Sequence, residues 1–374
     1  MAVEWTRFAQ PEFLRISTQG RHGRASSECA STFSPYRSAS LPRYDVGSSR
    51  GNGHEAAEFL NPANMDYFIQ SHRKRVRTLA KWLGVIAAVV WLNQHNASAQ
   101  GLLAAATGAK DLTFPDSPSA SPADGSRMIL LKPKGAGPFP AMVLHHQCGG
   151  LRTKGGPNRS MGAWAQAAVQ QGFVVLLIDS LGPRDVDMVC LEAKKGVNFP
   201  RGVRDALQAA DHLRAFPFVD KQRVAHVGVS WGAMVALLGS SSNWRAAAPG
   251  SEAFTAAVAV YPGCFSIQPK AGSPYEIVQT KIDRPTLVLM GDKDTETPPE
   301  ECIPKLQAAK NAGAPVEWYT VPNATHCWDC QHLNGFSKID FRGTKVIYRY
   351  DLSATREAQR RIFAFLEKTW GTGR

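Results

Sequence analysis

From residue 127 onward the chain repeats one pattern, a short unbroken apolar run followed by a stretch that favours helix. The runs are "RMILLKP", "FPAMVLHH", "GFVVLLIDS", "RVAHVGV", "FTAAVAVYP", "RPTLVLMGD" and "PVEWYTVP", with helices expected near 161–171, 202–216, 299–312 and 353–370. A strand that is apolar on both sides has to be covered on both faces, and strands joined through helices run parallel. The fold class predicted is therefore α/β, a doubly wound, mainly parallel sheet with helices on both faces. In such sheets reactive side chains gather beyond the carboxyl ends of the strands, so the residues just past each run are the ones to question.

One of them stands out. The run Arg223–Val229 stops at Ser230, which has Gly228 two positions before it and Gly232 two positions after it, and the helix former "AMVALL" follows. A nucleophile carried on a sharp strand-to-helix turn needs this arrangement, because bulk at either flanking position would keep strand and helix apart. Glycine and serine also fall into this pattern by chance, so the partners decide. Asp292 and Asp294 follow the run "LVLM", and His326 follows "VEWYTVP". A serine hydroxyl is a weak nucleophile until an imidazole takes its proton, and a buried carboxylate fixes the tautomer of that imidazole. All three residue types occur past strands in the order Ser, Asp, His, the order of the α/β-hydrolases.

Over about residues 127–370 the chain resembles the dienelactone hydrolase family of α/β-hydrolases, in its exported branch with a serine nucleophile. The matching segments are "LHHQCGGL", "IDSLGPRDVDMVC", "GVSWGA", "YPGC", "LMGDKDTETPP" and "NATHCW". The resemblance implies that Asp294 is the acid and Asp292 a turn former. It departs at two points: dienelactone hydrolase itself carries cysteine where this chain has Ser230, and the usual His-Gly before the oxyanion loop is His146-Gln147 here. The expected activity is hydrolysis of carboxylic esters or lactones through an acyl-enzyme, with a small-molecule substrate and no cofactor. A peptidase on the same fold and a catalytically inactive binding protein are the alternatives.

The oxyanion of the tetrahedral intermediate needs fixed backbone N–H donors. Trp231, next after the nucleophile, is one. Gln147 or Cys148 supplies the second, and the resemblance favours Cys148. It also implies that Arg184, just past "LLIDS", holds a substrate carboxylate through its two-pronged guanidinium. An ion pair with Asp185, Asp187 or another loop acid is the competing role. The long segment 331–351 is expected to form a small hairpin or lid, its aromatic residues Phe336, Phe341, Tyr348 and Tyr350 packing or lining a groove.

Residues 1–64 mix Ser, Gly, Arg and Pro without a period and are expected to be disordered or foreign to the natural product. From Met65 the order changes to a basic stretch "SHRKRVR", an apolar stretch "WLGVIAAVVWL" and small residues in "NASAQ". That order predicts a signal peptide over 65–99 with translation starting at Met65, cleavage after Ala99 and export to the periplasm or beyond. The apolar stretch is shorter than the roughly 20 residues of a membrane-spanning helix, so no stable membrane insertion is expected after cleavage. Residues 100–126 read as a linker and 127–374 as the hydrolase domain.

The net charge of +12 is spread unevenly along the chain, and residues 100–374 show no basic helix face or basic patch interleaved with aromatic residues, so no nucleic-acid partner is expected. The oligomeric state is not legible. Export makes disulfides the natural reading of six of the seven cysteines, Cys29 lying outside the mature chain. Six cysteines allow about 15 connectivities, among which sequence alone does not choose; Cys148 with Cys190 and Cys264 with Cys302 can meet across neighbouring loops, and Cys327 with Cys330 would close a small local ring beside His326. A zinc site in "HCWDC" is the rival, with weak spacing.

Overall fold

The computed structural model describes residues 62–153, 155–270, 272–340 and 342–371. Cys29, Phe341 and the expected disordered stretch up to residue 61 lie outside them. The chain divides into two compact units, 1–75 and 76–374. Helix α1 spans Pro62–Ala106. Its side chains from Val76 to Trp91, including Trp82, Leu83, Ile86 and Val89, are exposed. Among the described residues no helix is long and apolar enough to cross a membrane.

Seven strands build the central sheet: β1 (Ile129–Leu131), β2 (Phe139–His145), β3 (Val174–Ile178), β4 (Val219–Val229), β5 (Ala256–Val260), β6 (Thr286–Gly291) and β7 (Val316–Val321). They lie in the order β1-β3-β2-β4-β5-β6-β7, with β1 antiparallel to β3 and every other pair parallel. β3 and β5 are buried along their whole length. Helices α2 (Arg159–Gln170), α3 (Phe199–Arg214), α4 (Trp231–Gly239), α5 (Pro299–Asn311) and α6 (Leu352–Trp370) complete the chain. Two separate apolar clusters lie against the sheet. One gathers Leu176, Ile178, Leu207, Leu213 and Leu237; the other gathers Leu177, Trp164, Val258, Ile362 and Leu366. Because β3 contributes alternate residues to the two clusters, both faces are covered, as the unbroken apolar runs require.

The stretch expected as a linker, 100–126, holds the end of α1 and an irregular segment. Residues 107–126 form no helix or strand, yet Leu112 and Ala123 are buried and the segment supplies acceptors to the domain. The Lys110 carbonyl accepts from Arg184, the Asp111 carboxylate meets Arg201 and Arg204, and the Ala123 carbonyl accepts from Gln166. Buried arginines need such partners, and an irregular segment with free carbonyls can offer them.

The segment after His326 forms the expected hairpin, β8 (Ser337–Ile339) paired antiparallel with β9 (Lys345–Ile347). Phe336 is exposed, whereas Tyr348 is buried.

Candidate active site

The carboxyl ends of β4, β6 and β7 set the three predicted groups within reach of one another. Ser230 sits between β4 and α4 at φ 53°, ψ −110°, a left-handed backbone that a side chain rarely adopts and that marks stored strain. The turn is possible because Gly228 and Gly232 are bare: a Cβ on the first would overlap the Gly232 carbonyl, and one on the second the His145 carbonyl. Ser230 Oγ lies 3.1 Å from His326 Nε2, and His326 Nδ1 lies 2.8 Å from Asp294 Oδ2. Ser230 is 8 % exposed and both partners 3 %, so the chain of contacts is screened from bulk water.

Asp294 is held by its own turn. Its Oδ1 accepts from the Glu296 and Thr297 N–H groups, each at 2.9 Å, and its Oδ2 accepts from Thr297 Oγ1 at 2.8 Å. At Asp292 the N–H donates to the Val321 carbonyl, and the carboxylate lies 3.9 Å from Lys293. Thr297 was not anticipated, although Asp followed three residues later by Thr is a local turn signal.

Glu296 was also missed. Its carboxylate accepts from Lys338 on β8 and from the Tyr348 hydroxyl, both at 2.8 Å. The hairpin is thereby fastened to the acid loop, and the Tyr348 ring stands 5.8 Å from the His326 ring. Burial opposes charge on His326, but Asp294 and Glu296 outweigh it against the opposition of Lys338, so the imidazole pKa lies above its usual 6.5. For Glu296, burial is outweighed by His326, Lys338 and Tyr348, and its pKa is lowered. Tyr261, just past β5, packs its ring 4.6 Å from that of His326 and donates its hydroxyl to the buried Asp329 at 2.6 Å.

The two expected oxyanion donors are both uncommitted. Among the described residues neither the Trp231 N–H nor the Cys148 N–H is given to a protein acceptor. The neighbouring Gln147 turns its side chain aside, its oxygen accepting from Asn158 at 2.7 Å.

Arg184 does not match the role expected of it. It is buried, and all its N–H groups face protein acceptors. Two meet the Asp205 carboxylate at 2.6 and 2.7 Å, and the others the carbonyls of Ser180 and Lys110. No donor is left over for a substrate carboxylate. Its partner is Asp205 on α3, whereas Asp185 and Asp187 pair with Lys195 and Lys194.

The sulfurs of Cys148 and Cys190, of Cys264 and Cys302, and of Cys327 and Cys330 lie at bonding distance. In "HCWDC" the sulfurs of Cys327 and Cys330 and a carboxylate oxygen of Asp329, all buried, lie within 4.8 Å of one another, while His326 faces Ser230 and Asp294.

The sequence model of the dienelactone hydrolase family matches residues 127–370. None of the curated proteins compared with the chain matches it. Among solved structures, a Klebsiella pneumoniae protein described as a dienelactone hydrolase is 19% identical, with a TM-score of 0.49 over 64% of this chain and 92% of that one. Esterase 2 of Thermogutta terrifontis, phosphonylated by cyclosarin, is 18% identical, with a TM-score of 0.47 over 64% and 88%. A dienelactone hydrolase-like promiscuous phosphotriesterase from metagenomic libraries is 19% identical, with a TM-score of 0.44 over 63% and 88%.

Proposed function

The chain belongs to the dienelactone hydrolase family, and from that premise we propose that it is a serine hydrolase that cleaves carboxylic esters or lactones through an acyl-enzyme. One observation carries the reading: the hydrogen-bonded series Ser230, His326, Asp294 at the carboxyl ends of three parallel strands. Ser230 Oγ attacks the carbonyl carbon while its proton passes to His326 Nε2. Asp294 Oδ2 accepts from Nδ1–H, which holds the lone pair on Nε2 and stabilises the imidazolium that forms. The carbonyl oxygen becomes an oxyanion, met by the N–H groups of Trp231 and Cys148, a contribution of about 3 to 4 kcal/mol for a donor of this kind. His326 returns the proton to the leaving alcohol. Water, deprotonated by the same imidazole, then releases the acid.

With every donor of Arg184 engaged, the reading includes no preference for acidic esters. A fluorophosphonate probe tests it: covalent labelling of Ser230 is expected, and folded protein that takes no label would favour a binding protein instead.

We further propose that residues 65–99 are removed as a signal peptide and that the mature protein is exported with three disulfides. The side chains from Val76 to Trp91 are exposed, whereas Ala106, seven residues past the expected cleavage point, is fully buried in the domain. A cut after Ala99 therefore leaves the packed domain intact.

A further inference from the structure

We propose that His146 is the positioning residue of the oxyanion hole, holding the Gln147–Cys148 peptide, and with it the Cys148 N–H, in a single orientation. The inference rests on the hydrolase reading above. His146 ends the β2 side of the loop and is fully buried. Its Nε2 lies 3.0 Å from the Ser180 backbone N–H and its Nδ1 lies 2.6 Å from the Gln147 carbonyl. A backbone N–H can only donate and a carbonyl can only accept. Both contacts therefore demand one tautomer, neutral, with the proton on Nδ1. The nearest carboxylate oxygen, Asp179 Oδ1, lies 3.8 Å from Nε2, out of hydrogen-bond reach, and accepts from the N–H groups of Leu181 and Gly182. Burial lowers the pKa of the ring, with Asp179 and the Gln147 carbonyl opposing, which agrees with a neutral imidazole.

The consequence follows from peptide geometry. In a planar trans peptide the C=O and N–H point in opposite directions, so a partner that pins the Gln147 carbonyl also sets the direction of the Cys148 N–H. The Gln147 carbonyl accepts a second hydrogen bond from Gly150 N–H at 3.0 Å, and the Cys148 carbonyl accepts from Val189 N–H at 2.9 Å. Neither peptide flanking Cys148 can turn over without stranding a buried group. The sulfur of Cys148 is meanwhile at bonding distance from that of Cys190.

The same residue reaches the other donor. The His146 carbonyl accepts from Gly232 N–H at 3.1 Å, and its ring stacks on the Trp231 indole, with centroids 5.9 Å apart and planes 14° apart. One buried histidine thus spans both residues whose N–H groups would meet the oxyanion. The adjacent His145 does something different. Its ring lies between Ser180 Oγ at 3.0 Å and His226 at 3.3 Å and touches no part of the loop peptide by hydrogen bond.

The test compares His146→Leu with His146→Asn, nearly identical in shape, of which only Asn carries an N–H donor at the Nδ1 position. With p-nitrophenyl butyrate, Leu should lower kcat by about 10²- to 10³-fold with KM within roughly threefold, as expected for a donor that acts on the transition state. Asn should stay within roughly tenfold of the parent. Affinity for a trifluoromethyl ketone, whose adduct carries the oxyanion, should fall in step with kcat/KM. Equal losses in Leu and Asn at equal thermal stability, or parental kcat in Leu, would overturn the inference. Ser230→Ala, run alongside, separates the two levels, because activity retained there refutes the hydrolase reading itself. If Leu does not fold, ¹⁵N NMR of histidine-labelled parent protein decides: His146 neutral with the proton on Nδ1 is expected, and the Nε2–H tautomer or a charged ring refutes the scheme.

Discussion

Replacing Asp294 with Asn changes one atom and should remove most of the activity. The carboxylate accepts four hydrogen bonds, from the Glu296 and Thr297 N–H groups on Oδ1 and from Thr297 Oγ1 and His326 Nδ1 on Oδ2. An amide in its place must choose which end carries the NH2. Two backbone N–H groups cannot accept, so the amide oxygen has to stay at the Oδ1 side and the NH2 has to face His326 and Thr297. The threonine hydroxyl can rotate to accept. The imidazole can accept only by moving its proton from Nδ1 to Nε2, and Nε2 then has no lone pair for the Ser230 hydroxyl, 3.1 Å away. The geometry survives while the base is lost.

A wrong tautomer of this kind is worth on the order of 10⁴ in kcat, or about 5.5 kcal/mol at about 1.36 kcal/mol per tenfold. KM should change little, because the ground-state contacts remain. Asp292→Asn is the control: its carboxylate has no hydrogen bond to His326, and kcat should change by no more than about threefold. Steady-state hydrolysis of a p-nitrophenyl ester measures both, and ¹⁵N NMR of labelled histidine reads the tautomer. If Asp294→Asn stays within about tenfold of the parent, or if Asp292→Asn is the costlier change, the assignment of the acid is wrong.

The raised pKa of His326 gives a direction for pH. The base is lost as pH falls and the ring gains a proton, so the acid limb of kcat/KM should centre above 6.5; Glu296→Gln, which removes one of the charges holding the proton, should move it down. A parent limb centred below 6.5 would contradict this. Arg184→Ala removes one of the two guanidinium groups that face buried Asp205 and leaves Arg201 at 3.2 Å, so the cost should fall below the roughly 3–5 kcal/mol of a buried charge left with no partner. The melting temperature should fall while acidic and neutral esters lose kcat/KM equally among folded molecules; selective loss on acidic esters would restore a substrate role. Mass spectrometry of unreduced exported protein should find Gln100 as the first residue and the pairs 148–190, 264–302 and 327–330, and six free thiols would rule the pairing out.

What could be read beforehand was whatever is encoded locally. Each strand of the sheet announces itself as an unbroken apolar run because both of its faces are covered, and the elbow announces itself because only glycine fits beside the Gly232 and His145 carbonyls. Ser230, Asp294 and His326 inherit their positions from those strands, so their proximity followed once strand ends were located. Thr297 belongs to the same local grammar and was within reach. Glu296 was not, because its role depends on Lys338 and Tyr348 arriving from a hairpin some 40 to 50 residues later.

Arg184 shows the limit most clearly. Its place just past a strand end satisfies the rule that pointed to Ser230, yet its partners are Asp205, 21 residues ahead on α3, and the Lys110 carbonyl, 74 residues behind in a segment without secondary structure. The strand-end rule says where a residue begins, and the reach of an arginine side chain decides where its charge ends. A short side chain such as Ser230 stays where its backbone puts it. A long cationic one is drawn to whichever carboxylate the fold has buried nearby, here Asp205, which Arg201 also faces at 3.2 Å, because a buried carboxylate is costly without cationic partners. For the same reason the contacts of residues 107–126 were not legible: their own sequence asks for nothing, and the demand for their carbonyls and for Asp111 comes from Arg184, Arg201 and Arg204 elsewhere in the chain.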